Sequence, residues 1–147
     1  MTRSAIAAVV CLCALATPSS GAGTDTYGFR APLDAGQVVP GQLVAAPAAV
    51  GTFTGTLTLD GKIEWTLRFS HLSSRAVRAH VHLGALGKSG PVVQRVCRPC
   101  RTPAEGSARV SASVIRAIQG GRAYVDVHTR KNPTGEIRGQ IRVVQGG

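Results

Sequence analysis

Aromatic residues are scarce in this sequence: three Phe, two Tyr and one Trp among 147 residues. That is too few to lay rings under a run of successive bases, so a nucleic-acid partner is not expected. Acidic side chains are also few, 7 against 17 Lys and Arg, which leaves little choice for paired-carboxylate hydrolysis. No GxSxG, no GxxxxGK[ST] and no strand-linked GxGxxG occurs. Serine-triad hydrolysis and nucleotide binding on a phosphate loop therefore lack their signatures. The apolar stretch Ile6 to Ala16 is too short to span a bilayer.

That stretch instead reads as the centre of a signal peptide. Arg3 supplies the positive start, and Thr17 to Ala22 is a run of small residues suited to cleavage after Ala22. Residues 1–22 are thus expected to be a leader and 23–147 one domain with its core over about 27–144, secreted or periplasmic, with no transmembrane segment in the mature chain. Cys11 and Cys13 belong to the leader, leaving Cys97 and Cys100 in an oxidising compartment. Of the 17 basic residues only Arg3 falls in the leader, so 16 face 7 acidic ones, a net charge of +9. A secreted cation of this size is expected to attract acidic polysaccharide or envelope polymers, or an extracellular protein, more weakly as salt rises.

Alternation of apolar and polar residues sets the fold class. Phe53, Gly55, Leu57 and Leu59 alternate with four threonines; after Asp60-Gly61, a favoured hairpin turn, Ile63, Trp65, Leu67 and Phe69 resume the period of two. Tyr27–Leu33, Val77–Leu83, Pro91–Val96, Ala123–His128 and Glu136–Val143 read as further strands, and Ser113–Gln119 as one short helix with Ser113 as cap and Gly120-Gly121 as stop. Residues 101–112 read as a loop. The class is all-β: an antiparallel sandwich or barrel, immunoglobulin-like or superoxide-dismutase-like, with one short helix.

On the third strand Val77, Ala79, Val81 and Leu83 point to the core, so Arg78, His80 and His82 take the opposite, outward face. Two readings stay open for the histidines: surface hydrogen bonding that braces loops, through Thr129 or Glu136, or a copper or zinc site completed by His128. Asp126, two residues from His128, could orient an imidazole from behind. Glu136 and Arg138 share a strand face and read first as a brace for the Asn132–Gly135 turn, with a supporting role at a metal as the alternative. Cys97 and Cys100 follow a strand with a proline between them and no second CxxC, which favours a short disulfide clip over a redox or zinc motif. No catalytic residue stands out.

Three passages in order, AHVHLGALGKSGPVV (Ala79–Val93), GGRAYVDVHT (Gly120–Thr129) and NPTGEIRGQI (Asn132–Ile141), resemble the CHRD or chordin domain family. An early family element written around E-V-P-P is matched by Gln37-Val38-Val39-Pro40, without the acidic residue. The resemblance implies an extracellular or periplasmic β domain, and with the basic surface the expected function is a non-enzymatic binding module. A weaker likeness to copper/zinc superoxide dismutases lies in the H-x-H strand followed by G-R-x-x-V-x-V-H. It would place His80, His82 and His128 as copper ligands, with Arg138 as an anion-guiding arginine and superoxide chemistry as the alternative function. No histidine lies between His82 and His128, so that family's zinc cluster has no counterpart.

Overall fold

Threonine-rich alternation becomes paired strands because every second side chain is removed from water. Phe53 and Leu57 are fully buried while Thr54 and Thr58 flank them on the other face. The structure, a computed structural model, describes residues 25–40 and 48–144. The expected leader, with Cys11 and Cys13, lies outside the described residues.

Among the described residues, nine strands form one sheet: β1 (Thr26–Asp34), β2 (Val50–Thr58), β3 (Lys62–Ser70), β4 (Ala76–Leu83), β5 (Val92–Cys97), β6 (Ala104–Arg109), β7 (Ala123–Thr129), β8 (Ile137–Gln140) and β9 (Arg142–Val144). The order β5-β4-β7-β8-β1-β2-β3-β6, with β9 also on β1, curls the sheet into a nearly closed antiparallel barrel. A single 3-10 turn (Ala35–Gln37) follows β1, and helix α1 (Ala112–Gln119) leads into β7. Phe29, Phe53, Leu67, Val81, Val125 and Ile137 are among the side chains that fill the interior, and α1 adds Val114, Ile115 and Ile118.

Four local expectations need correction. Residues 104–109 are a strand rather than a loop, pairing with β3; the inward side chains are small, and a Cβ on Gly106 would stand 2.5 Å from the Trp65 ring. The helix begins two residues earlier than a Ser113 cap implies, with Ser111 as N-cap and Ser113 inside it. At the β2–β3 hairpin Gly61 alone takes the left-handed backbone (φ 92°), and its N–H closes the turn on Thr58. The last strand divides at Ile141, because β8 follows β7 while β9 follows β1.

Cys97 and Cys100 form a disulfide at the end of β5. Replacing both with serine should cost about 2 kcal/mol, the closure entropy of so short a loop, read as a lower urea midpoint with an unchanged slope.

Candidate functional site

β4 and β7 pair antiparallel with His80 opposite Asp126, His82 opposite Tyr124 and Arg78 opposite His128. Their alternate residues, Ala79, Val81, Val125 and Val127, are buried in the core. The polar six therefore share the other face, and Asp126 lies at their centre: His80 across from it, His128 two residues along, His82 on the diagonal.

That face is not open to water as its position outside the barrel suggests. His82, Asp126 and His128 are 9%, 8% and 6% exposed, and only His80 is half-exposed. The segment Gly84–Pro91, the turn Asn132–Gly135 and Val38-Val39 fold over it, leaving a cavity of about 210 Å³. Val38-Val39 belongs to the segment that departs from the E-V-P-P pattern.

One ligand-type atom from each of His80, His82, Asp126 and His128 lies within 4.8 Å of the others. The His80 ring sits 5.9 Å from His82 and 5.6 Å from His128, both edge-on. His82 Nδ1 is 3.0 Å from the Gly90 carbonyl and His128 Nδ1 is 3.0 Å from the Pro133 carbonyl. A carbonyl only accepts, so both Nδ1 atoms carry hydrogen and a neutral ring presents a bare Nε2. These Nε2 atoms come within 3.1 Å and 3.0 Å of the two Asp126 oxygens, yet neither contact is aligned as a hydrogen bond, and both nitrogens are buried without such a partner.

The electrostatics follow from that crowding. Burial works against a charged Asp126, but the two imidazoles in their protonated form outweigh it, by hydrogen bonding and by charge, and hold its carboxyl far below the usual carboxylate range. Burial likewise opposes a charged His82, and Asp126 overcomes it, raising that imidazole. His80 moves the other way, lowered chiefly by burial.

Behind the cluster stands a layered support. The Tyr124 ring stacks on His82 at 4.7 Å, and the Arg138 guanidinium lies 3.5 Å from the Tyr124 centroid. Sterics put the two on opposite faces of the ring. The Tyr124 hydroxyl accepts from Gly90 N–H, fixing the carbonyl that orients His82. Arg138 donates to the Ala85 and Lys88 carbonyls, and Gln140 to Gly84. A Cβ at Gly90 would fall 1.6 Å from the Leu83 oxygen, so this loop turns only with glycine there.

Glu136 stands apart from the histidines. It is fully buried and accepts from Ser73 N–H and hydroxyl, the Thr129 hydroxyl and the Asn132 amide, bracing the turn after β7. Arg138, 3% exposed, is committed to loop carbonyls. His71 is exposed in a left-handed backbone conformation (φ 57°) and is not among the clustered donors. Among the described residues, no helix is long and apolar enough to cross a membrane.

Fold and site together define an antiparallel β-barrel domain with a covered histidine–carboxylate cluster on its outer face. A family model of the CHRD domain matches residues 29–141, and the chain belongs to that family. It is similar to chordin of Xenopus laevis, 35% identical over 74 residues, covering 46% of this chain and 8% of that protein. The chain thus spans a small part of that relative's length. No solved structure matches.

Proposed function

We propose that the mature chain is a secreted CHRD module, non-enzymatic, whose outer strand face holds one zinc or copper ion through Nε2 of His82 and His128, an imidazole nitrogen of His80 and the Asp126 carboxylate. One observation carries this reading: two buried imidazoles, each with Nδ1–H tied to a backbone carbonyl, turn bare Nε2 atoms toward one carboxylate. A bare lone pair opposes a negative charge, so each imidazole faces Asp126 either as a protonated donor, the form that Asp126 favours at His82, or across a metal ion. With the ion, the arrangement is that of oriented metal ligands. Donor atoms about 2 Å from a common ion at tetrahedral to right angles stand about 3 Å apart; each Nε2 lies at that distance from one Asp126 oxygen, Oδ2 for His82 and Oδ1 for His128, and all four donors lie within 4.8 Å of one another.

Four protein donors fill a tetrahedral shell, which is the pattern of a structural ion rather than one with an open reacting position. The ion would clamp the Gly84–Pro91 and Asn132–Gly135 segments through the carbonyls that already hold His82 and His128. Arg138, bound to two loop carbonyls, supplies no free cation for guiding superoxide. Secretion rests on the leader-like residues 1–22.

Titration of tag-free protein with Zn(II) and with Cu(II), beside a His80→Ala, His82→Ala, His128→Ala variant, tests the site. One equivalent taken up by the wild type and none by the variant is expected. Failure of the wild type to bind either ion stoichiometrically removes the proposal.

A further inference from the structure

Four arginines gather at one end of the barrel, none of them lining the cavity over the histidine cluster. Arg75 precedes β4, Arg98 lies inside the disulfide turn, Arg101 follows that turn and Arg130 follows β7. All four are exposed. Among the described residues none of them makes an ion pair, since the acid–base contacts made there involve Lys62, Arg109, His82 and His128.

These arginines line two adjoining depressions that share Arg75 and Ala76. A cavity of about 350 Å³ is bordered by Arg75, Arg98 and Arg130 over a floor of Ala76, Val77 and Pro99. A second, of about 340 Å³, continues from the shared Arg75 and Ala76 past Arg101 and His71. No acidic residue borders either one. The Arg130 N–H to Arg75 carbonyl bond and the Cys97–Cys100 bridge hold the backbone beneath three of the four arginines.

We infer that this groove is a binding site for an extended sulfated polysaccharide, the four guanidiniums taking successive sulfate groups. Two adjoining cavities suit a chain rather than a single small anion. The guanidinium fork matches the paired oxygens of a sulfate, as it does those of a phosphate or carboxylate. The small apolar floor offers a surface for sugar rings. Single-stranded nucleic acid fits less well, because the rings bordering the groove are an exposed His71 and a partly buried Phe69 in one of the two cavities, too few to stack successive bases. The site shares no residue with the histidine cluster and does not depend on a bound ion.

The test uses a heparin octasaccharide as probe and compares two variants of equal charge. One replaces Arg75, Arg98, Arg101 and Arg130 with serine; the other replaces Arg30, Arg116, Arg122 and Arg142, also exposed, which lie elsewhere. The groove variant should lose at least about tenfold in affinity and flatten the salt dependence by about three contacts, while the control loses little. Equal losses in both, or wild-type binding by the groove variant, would overturn the inference. Circular dichroism and melting check folding; if the serine variant unfolds, a fourfold Arg→Lys variant replaces it. That variant keeps the charge but not the fork, and should still fall below wild type; undiminished binding refutes the site. Tighter binding of single-stranded DNA of matched charge also refutes it.

Discussion

Added zinc should raise the melting temperature of the tag-free domain steeply, and chelator should return it. An ion that binds only the folded chain stabilises it by RT ln(1 + [L]/Kd), about 4 kcal/mol at a thousandfold excess over Kd. For a domain of this size that corresponds to roughly 15 °C. The ligands come from two strands that the unfolded chain does not hold together, so the unfolded state competes poorly for the ion. The same measurement on a His82→Ala, His128→Ala variant should show no metal-dependent shift, whatever its starting stability. Asp126→Asn keeps the shape but removes the negative charge, and should weaken binding about 10- to 100-fold. A wild-type melting curve indifferent to zinc and copper would rule out a structural ion here.

Glu136→Ala should cost about 3–5 kcal/mol, from several stranded donors at about 1–3 kcal/mol each, a large share of a typical domain's roughly 5–15 kcal/mol. The carboxylate collects donors from Ser73, Thr129 and Asn132 in a site without water access. Removing it strands those donors, each at the expense of its own desolvation. Glu136→Gln should be nearly as harmful, since its NH₂ would face donors. A pH dependence follows. Burial raises the Glu136 carboxyl, but the donors prevail and leave it below its ordinary value of 4.5. A lowered folded value means the stabilisation is complete above about pH 4.5 and is lost as pH falls through the folded value. Urea midpoints taken between neutral pH and pH 3 should therefore fall more steeply for the wild type than for Glu136→Gln. Parallel slopes would show that another group governs acid sensitivity.

Period-two alternation was enough to read most strands and to place His80 and His82 together on a non-core face, because one side of each strand is strictly apolar. It failed for β6, where Gly106 and Ala108 face inward but are too small to mark a period, their space being taken by Trp65. The disulfide clip of Cys97 and Cys100 was legible from spacing and compartment. The burial of the histidines was not, since polar segments such as Gly84–Pro91 show no sign in sequence that they fold back over a strand. Asp126 was read as a residue behind His128; its central place among three imidazoles depends on the β4–β7 register, which a one-residue slip would invert. Glu136 and Arg138, two residues apart, serve different loops, Glu136 the turn after β7 and Arg138 the Gly84–Pro91 segment, a division that their spacing does not reveal.

The pairing of His80 with Asp126 joins strands far apart in the sequence, with β5, β6 and α1 intervening. The cluster therefore cannot assemble during early, local folding; it exists only once β7 has docked on β4. Nascent or refolding chains would present scattered imidazoles, and the full donor set would mark completion of the barrel. Trapping a chain before β7 docks should yield a species that gains nothing from added ion, so the moment of metal capture would serve as a clock for closure of the sheet.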